Sequence, residues 1–197
     1  RRIPYVMILI GKPTDDSGFG GAAFASEDLA GEEKANRGAV QVPDPFLKRV
    51  LTEATKKVVE AARLRGVEIG FKDLGAGGIA CATSEMAHAG GFGVKLDLDA
   101  VATALGHFPP AVVSCSETQE RYAMAVPRDF AAEVLRIYNE DFELPRIYHG
   151  AGASVIGEVT LDPNYSIETA EGLVCGAETE IHESRAQRAR RRELRRL

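Results

Sequence analysis

The 197-residue sequence predicts an α/β protein, layered in the α+β manner, with a mixed sheet packed by helices. Three observations lead there. A strand-length apolar run at 67–72, a glycine-rich turn, a helical stretch at 77–89 and a second strand-length run at 92–98 follow one another directly. The opening apolar run, 3–10, hardly alternates, as expected of a strand buried on both faces. Apolar residues make up 45% of the chain, enough for a sizeable core in one large domain.

After the first strand, residues 11–21 form a loop whose Asp15-Asp16-Ser17-Gly18 centre permits tight turns. It lacks the Gly-Lys-Ser/Thr ending of a phosphate-binding P-loop, which sets that motif aside. Asp44 and Pro45 mark a helix start, the first as N-cap and the second where its missing N–H is harmless. The helix runs from Pro45 to about Arg65 and stops at Gly66, with Phe46, Val50, Leu51, Ala54, Val58, Ala61 and Ala62 on its packed face. In the 92–98 strand, Phe92, Val94, Leu96 and Leu98 share one face. Residues 103–112 read as irregular, 121–126 as a strand and 129–142 as an amphipathic helix. A strand follows at 154–160, with Val155, Gly157 and Val159 opposite Ile156 and Glu158. Residues 165–169 and 172–175 fit a short hairpin. This places one domain at 1–180 and a basic linker helix or tail at 181–197.

The net charge of −5 is unevenly placed, since 184–197 is strongly basic and the body correspondingly acidic, which disfavours a nucleic-acid role. Cys81, Cys115 and Cys175 form no Cys-x-x-Cys pair and fit reduced thiols, hence a cytoplasmic location. The apolar run 5–10 is far shorter than the ~20 residues that span a bilayer, and no membrane role is expected. Starting on Arg1-Arg2 just before a strand, the chain reads as part of a longer polypeptide. His88, His107, His149 and His182 lack metal-ligand spacing and receive no role. Cys115 reads as a packing thiol.

Three segments carry polar groups where a core would not place them. Phe71-Lys72-Asp73-Leu74-Gly75-Ala76-Gly77-Gly78 sets a carboxylate at a strand end before a glycine-rich helix start, where backbone N–H groups can face an anion. The structural alternative for Asp73 is the N-cap of that helix. Val40-Gln41-Val42-Pro43-Asp44-Pro45-Phe46 and Ser114-Cys115-Ser116-Glu117-Thr118-Gln119-Glu120-Arg121 are the other two, with solvated turn or loop residues as their plain alternative. Together and in this order they resemble the first of the two homologous halves of the phosphoribosylformylglycinamidine synthase family. That family's pattern is close to Val-Gln-Val-Gly-Asp-Pro-Phe, Gln-Asp-Met-Gly-Ala-Ala-Gly and Ser-Glu-Ser-Gln-Glu-Arg. The resemblance runs from about Gly11 to Val159. It departs at Asp15-Asp16-Ser17-Gly18, where the family usually has Gly-Arg-Asp-Gly, and at Thr118, where it has serine.

The resemblance implies the C-terminal-type fold of aminoimidazole ribonucleotide synthetase. It also implies a share in an ATP-dependent ligase that converts formylglycinamide ribonucleotide and ammonia to the amidine through an iminophosphate. Asp73 matches a magnesium-binding aspartate, Gln41 a substrate-contacting glutamine, and Glu117, Thr118 and Gln119 the substrate-binding Glu-Ser-Gln. ATP and Mg²⁺ are implied with them. The implied partners are an N-terminal ATP-binding domain and second half on the same polypeptide, a glutaminase subunit and a small accessory subunit, so the isolated chain is expected to be inactive. Two other readings stay open: a related-fold ATP-using enzyme with another substrate, and a non-catalytic docking domain.

Overall fold

The computed structural model describes residues 5–20 and 42–178. Gln41 and the basic stretch 181–197 lie outside the described residues. The elements in order are β1 (Tyr5–Gly11), α1 (Pro45–Arg65), β2 (Gly70–Asp73), α2 (Gly78–Gly90), β3 (Gly93–Asp97), α3 (Pro110–Cys115), β4 (Arg121–Pro127), α4 (Arg128–Arg136), α5 (Leu144–Ile147), β5 (Gly152–Thr160), β6 (Asn164–Thr169) and β7 (Gly172–Glu178). The described strands form one mixed sheet in the order β2-β4-β1-β5-β3-β6-β7. Its pairs are antiparallel except β3 with β6, which is parallel.

Helices cover both faces, which explains why β1 is apolar without alternation. Val6, Ile8 and Ile10 join Tyr122, Met124 and Val126 of β4 against α1 and α4. Met7 and Leu9 point the other way, toward Ile79 and Ala82 of α2, with Val94 and Leu96 of β3 and Tyr165 and Ile167 of β6 in the same cluster. The hairpin read from 165–175 is β6 and β7, paired antiparallel.

The start of α1 is fixed locally. Asp44 Oδ1 accepts the Leu47 N–H at 2.9 Å, and Pro45 occupies the first turn. This register buries Leu47, Leu51, Ala54, Val58 and Ala62 and leaves Phe46 67% exposed, so Leu47, not Phe46, leads the packed face. Asp44→Ala is expected to destabilise the chain by about 1 kcal/mol, the usual cost of losing such a cap. Urea unfolding checks this; an unchanged midpoint would remove the capping role.

Four other expectations are revised. The strand expected at 67–72 starts at Gly70, because the Val67 N–H is spent on Ala62 O (3.0 Å), closing the end of α1. The stretch expected to be irregular, 103–112, contains the start of the short helix α3. The helix read over 129–142 is α-helical to Arg136 and then widens to a π turn, Ile137–Asp141. There the Asn139 side chain bonds both the N–H and C=O of Ala153. In β5 a bulge falls between the pairs Ile8↔Val155 and Met7↔Gly157. Ile156 is the extra residue, so Ile156 and Val159 pack into the same cluster instead of opposing ones.

Candidate functional site

Three loops meet at one end of the sheet, at the close of β1 and β2 and the opening of β4. Two glycines set how closely they approach. A Cβ on Gly11 would lie 2.0 Å from Glu120 O, and one on Gly78 would lie 2.3 Å from Ser116 O. Their φ angles, 119° and 55°, lie where glycine is favoured, and at both positions a side chain would also meet the facing backbone. The end of β1 is therefore pressed onto the 116–120 loop, and so is the start of α2, which follows Asp73.

Arg121 organises that loop from within. It is 1% exposed, yet its guanidinium donates to Ser116 O (2.6 Å), Thr118 O (3.1 Å) and Thr14 Oγ1 (2.6 Å). Burial pushes its pKa down to about 10, opposed by the charge of Asp15, and it remains a cation at neutral pH. All three acceptors are neutral, so oriented dipoles and the nearby Asp15 stabilise the charge. Glu120, in the left-handed region at φ 61°, accepts the Lys12 N–H on its carbonyl (3.2 Å) and the Asp44 N–H on Oε1 (3.2 Å). Lys48 Nζ stands 3.6 Å from Glu120 Oε2, and the buried Lys12 Nζ 3.9 Å from Asp44 Oδ2 and 5.0 Å over the Tyr148 ring. Val42–Phe46, the described part of the Gln41 motif, is thereby tied through Asp44 to the Glu117 motif.

Asp73 ends β2 with its carboxylate exposed. It is paired in register with Tyr122, and the next N–H, Leu74, bonds Arg121 O (3.2 Å). It does not cap α2: the cap is Gly77, without any side-chain bond. The ordinary structural task for an aspartate at this position is therefore not the one it performs. Glu117 is buried, and Gln119 is half-buried with its amide 3.4 Å from Glu117 O. Thr118 is 1% exposed, and its hydroxyl donates to Asp15 Oδ1 at 2.7 Å. Burial alone would raise Asp15. Hydrogen bonds from Ser17 and Thr118 and the Arg121 charge outweigh it and hold the carboxyl below its ordinary range.

The loops thus bring Asp73 and the 117–119 segment to one end of the sheet, joined to the residues that follow Gln41. Lys12, Asp15, Glu120 and Arg121 support this arrangement; the last three stand in segments the sequence marked out, but none was given a role there. The available signal was charge abutting apolar strands, Lys12 just after 5–10 and Glu120-Arg121 just before 122–126. No group of three or more His, Cys, Asp or Glu able to hold a metal occurs among the described residues. Mg²⁺ takes one or two carboxylates and fills its shell with water and phosphate oxygens. An exposed aspartate at the strand end fits such a partial donor set.

A mixed sheet between two helical layers, with glycine-tightened loops gathering polar groups at one end, defines an α/β domain whose candidate site lies at that end of the sheet. Residues 6–169 match the family "AIR synthase related protein, C-terminal domain", and the chain belongs to it. It is 56% identical over 164 residues to phosphoribosylformylglycinamidine synthase subunit PurL of Methanothrix thermoacetophila, covering 83% of this chain and 21% of that protein. It is 38% identical over 177 residues to the Methanopyrus kandleri subunit of the same name, covering 89% and 23%. The chain therefore spans between a fifth and a quarter of these relatives' length. Among solved structures it resembles Thermotoga maritima PurL complexed with FGAR, at TM-score 0.76 and 34% identity, over 90% of this chain and 27% of that one. The complex of the same protein with ATP and a PurLQS structure each align at TM-score 0.70 and 28% identity, over 91% and 90% of this chain and 26% and 25% of theirs.

Proposed function

We propose that this domain is the C-terminal-type domain of the first half of a phosphoribosylformylglycinamidine synthase. It would serve an ATP-dependent ligase of purine biosynthesis that makes formylglycinamidine ribonucleotide from formylglycinamide ribonucleotide (FGAR) and ammonia released from glutamine. The observation that carries this reading is the meeting, at one end of the sheet, of the Asp73 and Glu117 motifs with the residues following Gln41. A relative of 34% identity complexed with FGAR supports it.

The chemistry asks little covalent work of the protein. An amide oxygen is a poor leaving group; phosphorylated by ATP it departs as phosphate when ammonia attacks the iminophosphate carbon. The protein must hold the amide oxygen in line with the γ-phosphoryl group and balance its charge. Gln41, Glu117 and Gln119 are assigned to the substrate, together with Thr118 as part of the same loop. Asp73 would hold Mg²⁺, which when bound neutralises phosphate charge. The ATP-binding domain and second half on the same polypeptide, a glutaminase subunit and a small accessory subunit complete the assembly, in a cytoplasmic setting. The PurLQS structure supports additional subunits. Among the described residues no helix is long and apolar enough to cross a membrane.

The test is an assay of the full-length gene product with ammonia as nitrogen donor. ADP release that requires both FGAR and Mg²⁺, with amidine as product, is the expected result. Release that requires a different acceptor would overturn the substrate assignment, and no release with any acceptor would favour a docking domain.

A further inference from the structure

Thr118 is the middle residue of the loop assigned to substrate, yet its hydroxyl is used inside the protein. It donates to Asp15 Oδ1 (2.7 Å) and accepts the Asp15 N–H (3.1 Å), a reciprocal contact across 103 residues of sequence. The same Oδ1 takes the Ser17 N–H at 3.1 Å and the Ser17 hydroxyl at 2.5 Å. An ionised carboxylate only accepts, so one oxygen dictates the direction of all these donors. Asp15 is itself presented from a fixed backbone. Its neighbour Thr14 bridges to the segment before α3, with Thr14 N–H on Ala102 O and Ala104 N–H on Thr14 O, both at 2.8 Å. Arg121 ties the same two loops together by bonding Thr14 Oγ1 as well as the carbonyls of Ser116 and Thr118.

We propose that Asp15 is a positioning residue for the substrate loop. The Asp15–Thr118 pair latches the loop so that Glu117 and Gln119, on either side of Thr118, are held in their working places. Within that loop the Thr118 hydroxyl acts through Asp15. This rests on the reading above, that the loop faces FGAR. A serine at 118 keeps the hydroxyl and can still make the latch; a valine keeps the β-branched shape but loses it.

The test uses the full-length gene product with FGAR, ATP, Mg²⁺ and ammonia. Asp15→Ala and Thr118→Val should each raise KM for FGAR about tenfold, the size of one lost buried hydrogen bond, with kcat changed less than about threefold. The double variant should be no worse than Asp15→Ala alone, and Thr118→Ser should stay within about twofold of the unsubstituted protein. Amide hydrogen exchange over 116–119 reads the latch without substrate, and should rise equally in both single variants and no further in the double. Additive effects, or a Thr118→Val variant that behaves as unsubstituted, would overturn the latch. Coupled exchange in a protein that shows no FGAR-dependent ADP release would instead overturn the substrate reading and leave the latch standing.

Discussion

Replacing Arg121 by alanine is expected to lower the stability of the domain by about 4 kcal/mol, the range found when one member of a buried charged network is removed. The side chain is fully enclosed and serves acceptors on both loops of the candidate site. Truncation leaves Ser116 O, Thr118 O and Thr14 Oγ1 without their donor, each at a cost of about 1–3 kcal/mol when buried, less where water enters the void. It also removes a positive charge that helps keep Asp15 ionised. Burying a guanidinium is itself unfavourable, as its lowered pKa records, so the net loss falls below the sum of those terms. Lysine keeps the charge but not the planar fork that reaches three acceptors at once, and Arg121→Lys should recover less than half of the lost stability. Urea unfolding of the alanine, lysine and methionine variants separates charge, geometry and packing. An alanine variant within about 1 kcal/mol of the unsubstituted protein would show that the loop holds its shape without the guanidinium.

What could be read along the chain was whatever is decided within a few residues. Asp44-Pro45 and Gly66 bound α1 because a cap, a first-turn proline and a glycine stop are local chemistry. The choice between Phe46 and Leu47 was not local, since either suits the first turn until the sheet is present to cover one of them. The bulge at Ile156 depends on pairing with β1, a strand about 150 residues earlier, and leaves no mark within β5. The same division runs through the site. Asp73 and Glu117–Gln119 lie in contiguous motifs and stood out. Asp15 and Arg121 gain their meaning from contacts with Thr118 and Thr14 across loops distant in sequence. Even Thr118, noticed for its hydroxyl, turns that hydroxyl toward a carboxylate only tertiary structure supplies.

Asp73→Asn should cut FGAR-dependent ADP release by about a hundredfold or more while leaving the fold intact. The two halves of this expectation have separate grounds. The side chain is exposed, closes a four-residue strand and caps nothing, since α2 begins on Gly77 without a side-chain bond. An isosteric amide there should change stability by no more than about 0.5 kcal/mol. For function, asparagine keeps one carbonyl oxygen but removes the negative charge that a hard divalent cation requires, in a reaction whose barrier is lowered chiefly by charge balance around the transferred phosphoryl group. If Asp73 holds Mg²⁺, the residual activity should demand a higher Mg²⁺ concentration, and Asp73→Glu, with its charge displaced by one methylene, should fall between the two. A purely structural aspartate would instead lower the urea midpoint and leave the Mg²⁺ dependence unmoved. Measuring ADP release by the full-length gene product across a Mg²⁺ series, beside unfolding curves for the same variants, separates these outcomes. Turnover equal to the unsubstituted protein at every Mg²⁺ concentration would remove the metal role from Asp73 and shift the search for the carboxylate ligand to other parts of the enzyme.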